Sequence, residues 1–389
     1  MAGPMKKRIV HIINGLNAIG GAELALVRLL EQRTRDTRQH EVVTLLGAER
    51  LAARLQAVDV QVTALAPQSH RLHAPVRLLR LLTAPAPALY VGWLYYGNLM
   101  ASLLGVVRRV PAVWNIRHSL HDVQRSGRST RLSIAASTRL ARQPRATVYN
   151  SATSAAQHHA LGWPDGRALV IPSGVDTTLF HPDPLARQRA RMRLGVADDV
   201  LLLGRFGRYH PLKGYETLLQ AFAALRSSRP TMLLLGGRGV DASNTALLQL
   251  VERLQLRERV QLLGECDDLQ ALLPALDVGV SSSHSESFPN VVTEAMACGV
   301  PCVVTNVGDS AAIVGDSGWV VDADSVTALQ AGLAAALMAM NARPEACRLA
   351  ARDRAASHYA VGETVLRYEQ LFASVIRASE DRTEAGRSK

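Results

Sequence analysis

Cysteine is scarce: Cys266, Cys298, Cys302 and Cys347 are the four in 389 residues. None forms a CxxC pair and no Cys/His ligand spacing goes with them, which speaks against a structural zinc and against a secreted disulfide framework. They read as small buried hydrophobes in a reducing cytosol. Long apolar runs are scarce too. The basic start MAGPMKKRIVHII holds a five-residue apolar run before Asn14 and Gly15, too short for a signal-peptide core, and reads as a first buried strand. Leu81 to Val107 carries no charged residue and would be long enough for a membrane span. Pro85, Pro87, Gly92, Gly97 and Asn98 break it, however, into a strand ALYVGWLYY and a helix NLMASLLGVV. The soluble reading prevails. No short repeat or low-complexity stretch occurs, and no RRM, KH or helix-turn-helix signature accompanies the positive charge, which speaks against nucleic acid.

Apolar material is plentiful, at 48% hydrophobic against 20% charged residues. That composition rules out a disordered chain, a collagen-like fibre and a small stapled scaffold. Length favours two domains of about 150–200 residues. The net charge of +11 is unevenly placed. Residues 1–180 hold 22 Lys+Arg against 9 Asp+Glu (+13), and residues 181–389 hold 22 against 24 (−2). The first half therefore invites an anionic partner such as a phosphorylated lipid or a membrane surface, although arginine-heavy composition alone produces the same excess.

Short apolar runs alternate with longer amphipathic stretches. RIVHII, EVVTLL, VQVTAL, ALYVGWL, AVWNI, ATVYN and ALVIP come in the first half, with helical patterns such as Ala22–Glu31, Asn98–Val107 and Arg131–Arg142 between them. VLLLGRF, TMLLLGG, VQLLG, LDVGVSS and PCVVTN follow in the second. Continuous apolar strands separated by helices indicate parallel sheets covered on both faces, and two such series give two Rossmann-like α/β domains. The expected boundary is FHPDPLA, Phe180 to Ala186, where two prolines interrupt the pattern. The domains are thus residues 1–180 and 181–361, with a last helix at 362–379 packing back on the first domain and a frayed polar tail after Glu380.

Ligands of open parallel sheets bind beyond the carboxyl ends of strands, so the loops there are the places to look. NGLNAIGGAE follows the first strand. Gly20 and Gly21 let backbone approach a ligand, and helix N-terminal amides favour anionic oxygen. The loop is neither a Walker P-loop nor GxGxxG, and Gly-Gly before a helix is more often a turn than a site. Arg117 and His118 close strand AVWNI, where a substrate would lie, although a lone histidine is usually structural. In GRYHPLKG, Arg208 and Lys213 flank a turn between strand and helix. Two cations there suit a pyrophosphate and a departing nucleotide, or are simply two solvated surface charges. LLLGGRG places Gly236, Gly237 and Gly239 after the next strand, allowing close approach by a nucleotide.

The segment LDVGVSSSHSESFPNVVTEAMACGVPCVVTN carries most information. Glu286 stands in a polar loop, Pro289 suits the first helical turn, and a helix is expected from Asn290 to Cys298. Amides around Phe288 to Val291 form an anion site at its N-terminus. Glu294 lies within the helix, eight residues beyond Glu286, so the pair would bracket a diphosphate, one reaching a ribose diol and the other a sugar. A DxD string, Asp322-Ala323-Asp324, reads as loop and helix cap rather than a metal site.

ESFPNVVTE resembles the E-x7-E motif of glycosyltransferase family 4, retaining enzymes of the GT-B fold. GGAE (Gly20 to Glu23) resembles that family's N-terminal glycine loop, IPSGVDTTLF (Ile171 to Phe180) its interdomain segment with Ser173 in place of the usual Asn, and GRYHPLKG its G-R-x-x-x-x-K-G loop. The resemblance covers nearly the whole chain. It implies two Rossmann-like domains facing across a cleft, with the N-terminal one binding acceptor and the C-terminal one the nucleotide sugar. It implies that Arg208 and Lys213 contact the donor diphosphate and that Glu294 holds the ribose. Glu286 would sit beside the transferred sugar, and Ser287, Phe288, Pro289, Asn290 and Val291 would help hold sugar and phosphate. Gly21 would approach the donor phosphate and His118 would lie near the anomeric carbon or donor sugar. No metal or other cofactor is implied.

Arg125, Arg128, Arg131, Arg139, Arg142 and Arg145 cluster after His118 among Leu132, Ile134 and Leu140. Such a face would attract anionic phospholipid or a polyprenyl pyrophosphate, and a merely solvated helix face fits the charge equally well. The expected activity is hexosyl transfer from a nucleotide-diphosphate sugar, UDP favoured, to a glycan or lipid-linked acceptor. That places the protein in bacterial surface polysaccharide (lipopolysaccharide or exopolysaccharide) or glycolipid synthesis, in the cytoplasm or at the inner face of its membrane. The competing readings are a GT-B epimerase or phosphorylase and a catalytically silent binding protein.

Overall fold

A computed structural model describes residues 7–17, 20–33, 38–48, 50–66, 74–121 and 127–387. The chain divides into two compact units, residues 1–174 with 361–389, and residues 175–360.

The first unit alternates strand and helix. It opens with β1 (Arg8–Ile13), α1 (Gly21–Glu31), β2 (Gln39–Thr44), α2 (Ala52–Gln56) and β3 (Gln61–Ala64). Then come α3 (Ala74–Thr83), β4 (Leu89–Trp93), α4 (Leu94–Arg108) and β5 (Ala112–Ile116). It continues through α5 (Arg128–Leu140), β6 (Ala146–Tyr149), α6 (Ala152–Ala160) and β7 (Ala168–Val170). All pairings are parallel, in the order β3-β2-β1-β4-β5-β6-β7. Side chains of β1 alternate between two cores, as the two-residue period of a strand requires. Ile9 and Ile13 enter the core beneath α1 and α2, while Val10 and Ile12 enter the one beneath α3 and α4.

The second unit runs α7 (Pro184–Leu194), β8 (Leu201–Phe206), α8 (Tyr215–Ala224), β9 (Thr231–Gly236), α9 (Thr245–Arg253) and β10 (Val260–Leu262). It continues with α10 (Leu269–Leu272), β11 (Val278–Ser281), α11 (Asn290–Ala297), β12 (Cys302–Thr305) and α12 (Ser310–Val314). It ends with β13 (Trp319–Val321), α13 (Val326–Ala342) and α14 (Pro344–Tyr359). Its parallel sheet has the order β10-β9-β8-β11-β12-β13. Alternate residues of β8 again feed two cores, Leu202 and Phe206 on one face and Leu201 and Leu203 on the other. The α/β class and two Rossmann-like sheets expected from the apolar runs are present. Each sheet reverses direction once, at β1/β4 and at β8/β11, and these are the places where such folds bind ligands.

Three boundaries differ from expectation. The chain passes between units at Gly174–Val175, six residues before Phe180, because Val175 bridges Ala360 and both Val175 and Phe180 are buried in the second core. The final helix α15 (Val361–Arg387) belongs to the first unit, burying Val365, Tyr368, Leu371 and Phe372 with α1. It continues through the polar tail expected to fray, and Glu380 pairs with Lys7 at 2.6 Å. The apolar stretch Leu81–Val107 divides among α3, β4 and α4, the helix starting four residues ahead of Asn98. No helix among the described residues is long and apolar enough to cross a membrane.

Candidate functional site

Arg205 is the one charged residue in the apolar run of β8 and only 3% exposed. Its guanidinium lies 4.2 Å over the Tyr215 ring and donates to the Lys213 carbonyl at 2.7 Å, while the Tyr215 hydroxyl donates to the Gly207 carbonyl. The loop from Gly207 to Lys213 is thus tied down at both ends from within the fold. His210 Nδ1 accepts from the Leu212 amide at 3.2 Å, shaping the single 3-10 turn Pro211–Lys213. Gly214 follows at φ +61°, and a Cβ there would run into the Ser282 carbonyl oxygen. Glycine therefore lets the β8 loop meet the β11 loop. The two are sewn together by the His284 amide to the Leu212 carbonyl (2.9 Å) and by Ser282 Oγ to the Lys213 carbonyl (3.2 Å).

This seam brings Lys213 Nζ within 2.5 Å of Glu286 Oε1, an oxygen that also accepts from Ser283 Oγ at 2.8 Å. Both ion-pair partners are half-buried, with side-chain exposures of 21% and 16%. Burial pushes the Glu286 carboxyl upward, but Lys213, Ser283 and Arg205 together outweigh it and hold the group below its ordinary value. Glu286 is thereby an anion at neutral pH.

Beyond Glu286 the chain enters α11. Pro289 is its N-cap rather than a residue of its first turn, and the helix ends at Ala297, one residue short of expectation, with Cys298 as C-cap. Ser287, Phe288 and Pro289 are buried, Phe288 edge-on to Tyr359 at 5.7 Å. Gly308, at φ +55°, lies so near that a Cβ would come within 2.5 Å of the Glu286 and Ser287 carbonyl oxygens. Asn290 and Val291 present the first turn of the helix, and Glu294 is 4% exposed one turn on. Gly237 and Gly239, at φ +138° and +75°, dock the loop after β9 against the loop after β8, through Gly207 to Gly236 and Tyr209 to Arg238 backbone bonds of 2.8 Å. Arg208 is exposed on that same loop.

In the first unit, Gly20 is the N-cap of α1 and Gly21 its first residue. Glu23 is the third residue of the helix, and a Cβ on Gly20 would run into its carboxylate. The chain's own carboxylate thus lies against this helix start. Burial raises the Glu23 carboxyl, opposed by a bond from its own backbone amide. His118 is half-buried just past β5, its ring edge-on to Tyr95 at 6.1 Å. Arg117 does not accompany it as a free cation: it donates to Ser173 Oγ at 2.8 Å and the Tyr368 hydroxyl at 3.1 Å, and lies 5.1 Å from the Trp93 ring. Ala18 and Ile19 of the glycine loop lie outside the described residues, as does Arg125.

Against this geometry stand the comparisons. Residues 197–339 match the family of glycosyl transferases group 1. The match lies wholly within the second unit. Among curated relatives, a D-inositol 3-phosphate glycosyltransferase of Geodermatophilus obscurus is 36% identical over 233 residues, 56% of this chain and 49% of that protein. An N-acetyl-alpha-D-glucosaminyl L-malate synthase of Bacillus anthracis is 30% identical over 221 residues, 56% and 57% of the two chains. The chain thus spans about half the length of the curated relatives it matches. Two solved structures share the fold over almost their full length. Anabaena HepE in complex with UDP and glucose superposes with a TM-score of 0.81 at 23% identity, covering 95% of this chain and 100% of that one. WaaG, a glycosyltransferase involved in lipopolysaccharide biosynthesis, gives 0.73 at 18% identity over 94% and 99%.

Within the second unit, the structure unites Lys213 with Glu286 and sets the glycines 237 and 239 against Gly207–Tyr209. Sequence reasoning missed Arg205, whose signal was a lone cation inside an apolar strand. It missed Ser283, one of several serines in SSSHSES. It also misread Asp324. That residue, at φ +60°, pairs with His284 Nδ1 in the β11 loop, and the cap of α13 is Ser325, whose side chain accepts from the Ala328 amide at 3.1 Å. No group of three or more potential metal ligands occurs among the described residues.

Proposed function

We propose that the chain is a retaining glycosyltransferase that moves a sugar from a nucleotide-diphosphate sugar, UDP favoured, to a glycan or lipid-linked acceptor in surface polysaccharide or glycolipid synthesis. The observation that carries the reading is the Lys213–Glu286 pair, held 2.5 Å apart at the β8/β11 reversal beside the start of α11.

The bond to be broken joins the anomeric carbon to a diphosphate, so negative charge grows on the departing phosphate. Lys213 and the amides at Asn290 and Val291 meet it already oriented, exposed Arg208 adds a second cation, and no metal is called for. Glu286 accepts sugar hydroxyls and steadies positive charge at the anomeric carbon. Its bond to Lys213 is consistent with a positioning role rather than a covalent one, so attack would come from the face of departure. Glu294 is assigned to the ribose, Gly237 and Gly239 to close nucleotide approach, and Gly20, Gly21 and His118 to the donor's phosphate and sugar.

A thermal-shift panel of UDP, GDP, ADP and their sugar conjugates, with and without EDTA, tests this. Stabilisation by one nucleotide, unchanged by EDTA and lost in Arg208→Ala and Glu294→Ala, is expected. No response to any nucleotide would favour a silent binding protein, and stabilisation with sugar inversion but no transfer would favour an epimerase.

The acceptor side adds a partner. α3 and α4 cover the same face of their sheet, α5 packs on α4, and Leu79, Leu103, Val106 and Leu132 are exposed along this layer. Arg128, Arg131, Arg139, Arg142 and Arg145 are exposed on and just beyond α5. Exposed apolar side chains and exposed arginines on adjoining helices suit the cytoplasmic surface of an anionic membrane carrying a polyprenyl-pyrophosphate acceptor. Sedimentation with phosphatidylglycerol vesicles at low salt, released by high salt, is the expected result. No sedimentation at low salt would remove the membrane from the reading.

A further inference from the structure

We propose that Tyr95, Ser154 and His158 are positioning residues that brace His118 for chemistry at the donor sugar, an inference that rests on the transferase reading above. Four contacts close a ring. Ser154 Oγ donates to the His118 carbonyl at 2.8 Å, and the Ser154 carbonyl accepts from His158 Nδ1 at 2.8 Å. With its proton on Nδ1, His158 turns Nε2 to accept from the Tyr95 hydroxyl, also at 2.8 Å. The Tyr95 ring then meets the His118 ring edge-on at 6.1 Å.

Each member is held by the fold. His158 is fully buried, stacked on Tyr95 at 6.0 Å and enclosed by Tyr149 at 5.3 Å and Trp163 at 4.8 Å. That burial drives its pKa down to about 4, so the ring stays neutral and keeps its acceptor nitrogen at neutral pH. Ser154, Gln157 and His158 share one face of α6 at the i, i+3, i+4 spacing. Gln157 Oε1 extends the grip along the loop, accepting from the Leu120 amide at 2.7 Å and Ser119 Oγ at 3.1 Å. Tyr95 itself follows Leu94, the first residue of α4, which stands at φ +61° directly after β4. A left-handed leucine is strained because its Cβ crowds the following carbonyl oxygen, and such local strain clusters at functional sites. Core packing alone would be served by apolar residues. Hydrogen bonds among Tyr95, His158 and Ser154 instead fix one geometry.

Carbethoxylation of the intact protein with diethyl pyrocarbonate, read at each histidine by peptide mass spectrometry, tests the brace without any substrate. Tyr95→Phe and Ser154→Ala should speed reaction at His118 by about fivefold, as loss of one hydrogen bond allows, with the exposed His181 and His358 unchanged. A His118 rate within about twofold of the parent in both variants overturns the brace. Transfer then separates the brace from the reading beneath it, with UDP release from UDP-glucose as the probe. Loss in His118→Ala but parental release in Tyr95→Phe overturns the brace alone. Parental release in His118→Ala with loss in Lys213→Ala overturns the role of His118. Adding Tyr95→Phe to His118→Ala should cost nothing further, whereas additive losses would show Tyr95 acting through stability only.

Discussion

Strand β11 has a carboxylate beyond each end, and the two are treated in opposite ways. Asp277, just before its first residue, is 4% exposed and saturated. Arg187 and Arg348 reach Oδ1 at 2.8 and 2.7 Å, while Arg191 and the Leu202 amide reach Oδ2 at 3.3 and 2.8 Å. Glu286, five residues past the last, takes Lys213 and Ser283 on a single oxygen and remains partly exposed. One end of the strand joins α7, α14 and β8 through charge; the other leaves charge facing the loops where a ligand can reach it. The amino end of the strand is tied into the fold by charge, and the carboxyl end carries the pair on which the proposed function rests.

Removing Asp277 should have the largest effect on folding. Asp277→Ala takes the shared carboxylate from buried Arg191 and half-buried Arg187 and Arg348 and should lower unfolding free energy by about 3–5 kcal/mol, read in a urea melt. Nucleotide affinity of the fraction still folded should be unchanged. Loss of nucleotide binding at the same stability would mean the two ends are not separate in function. At the other end the balance reverses. Glu286→Gln should change unfolding free energy by less than about 1 kcal/mol, while transfer falls by about 10²–10³-fold. A stability loss as large as that of Asp277→Ala would erase the contrast.

The smallest effect sharpens it through pH. Glu286 is held below its ordinary value of 4.5. Its contribution to stability is therefore fully present above that value and is lost as pH falls through the lower folded-state one. The melting difference between the parent and Glu286→Gln should shrink to nothing on acidification below pH 4.5 and stay constant above it. A difference that grew on acidification would contradict the lowered pKa.

Much of this was legible in residues alone. Apolar runs such as VLLLGRF and PCVVTN could hardly be anything but buried strands, and the loops following them held Lys213, Gly237 and Glu286. Arg205 was hidden because a cation in such a run has no partner visible in sequence; Tyr215 and the Lys213 carbonyl reach it only across a folded turn. Asp324 misled for the matching reason. Near a helix start it looks like a cap, but Ser325 has the geometry and Asp324 turns to His284. Glu23 reads as part of a glycine motif, and only the folded helix reveals its carboxylate lying over Gly20.

By itself, then, the sequence determined the two parallel sheets and which loops lie at their carboxyl ends, because hydrophobic periodicity and glycine placement are local properties of the chain. Tertiary structure alone decided which charges meet. Lys213 and Glu286 are 73 residues apart, Arg187 and Asp277 90, and Tyr95 and His158 63. No local pattern encodes such pairings. They follow from a strand order that sets β8 beside β11 and runs β4, β5, β6 side by side, and from the burial that strips away water and leaves each polar group only its neighbours to bond.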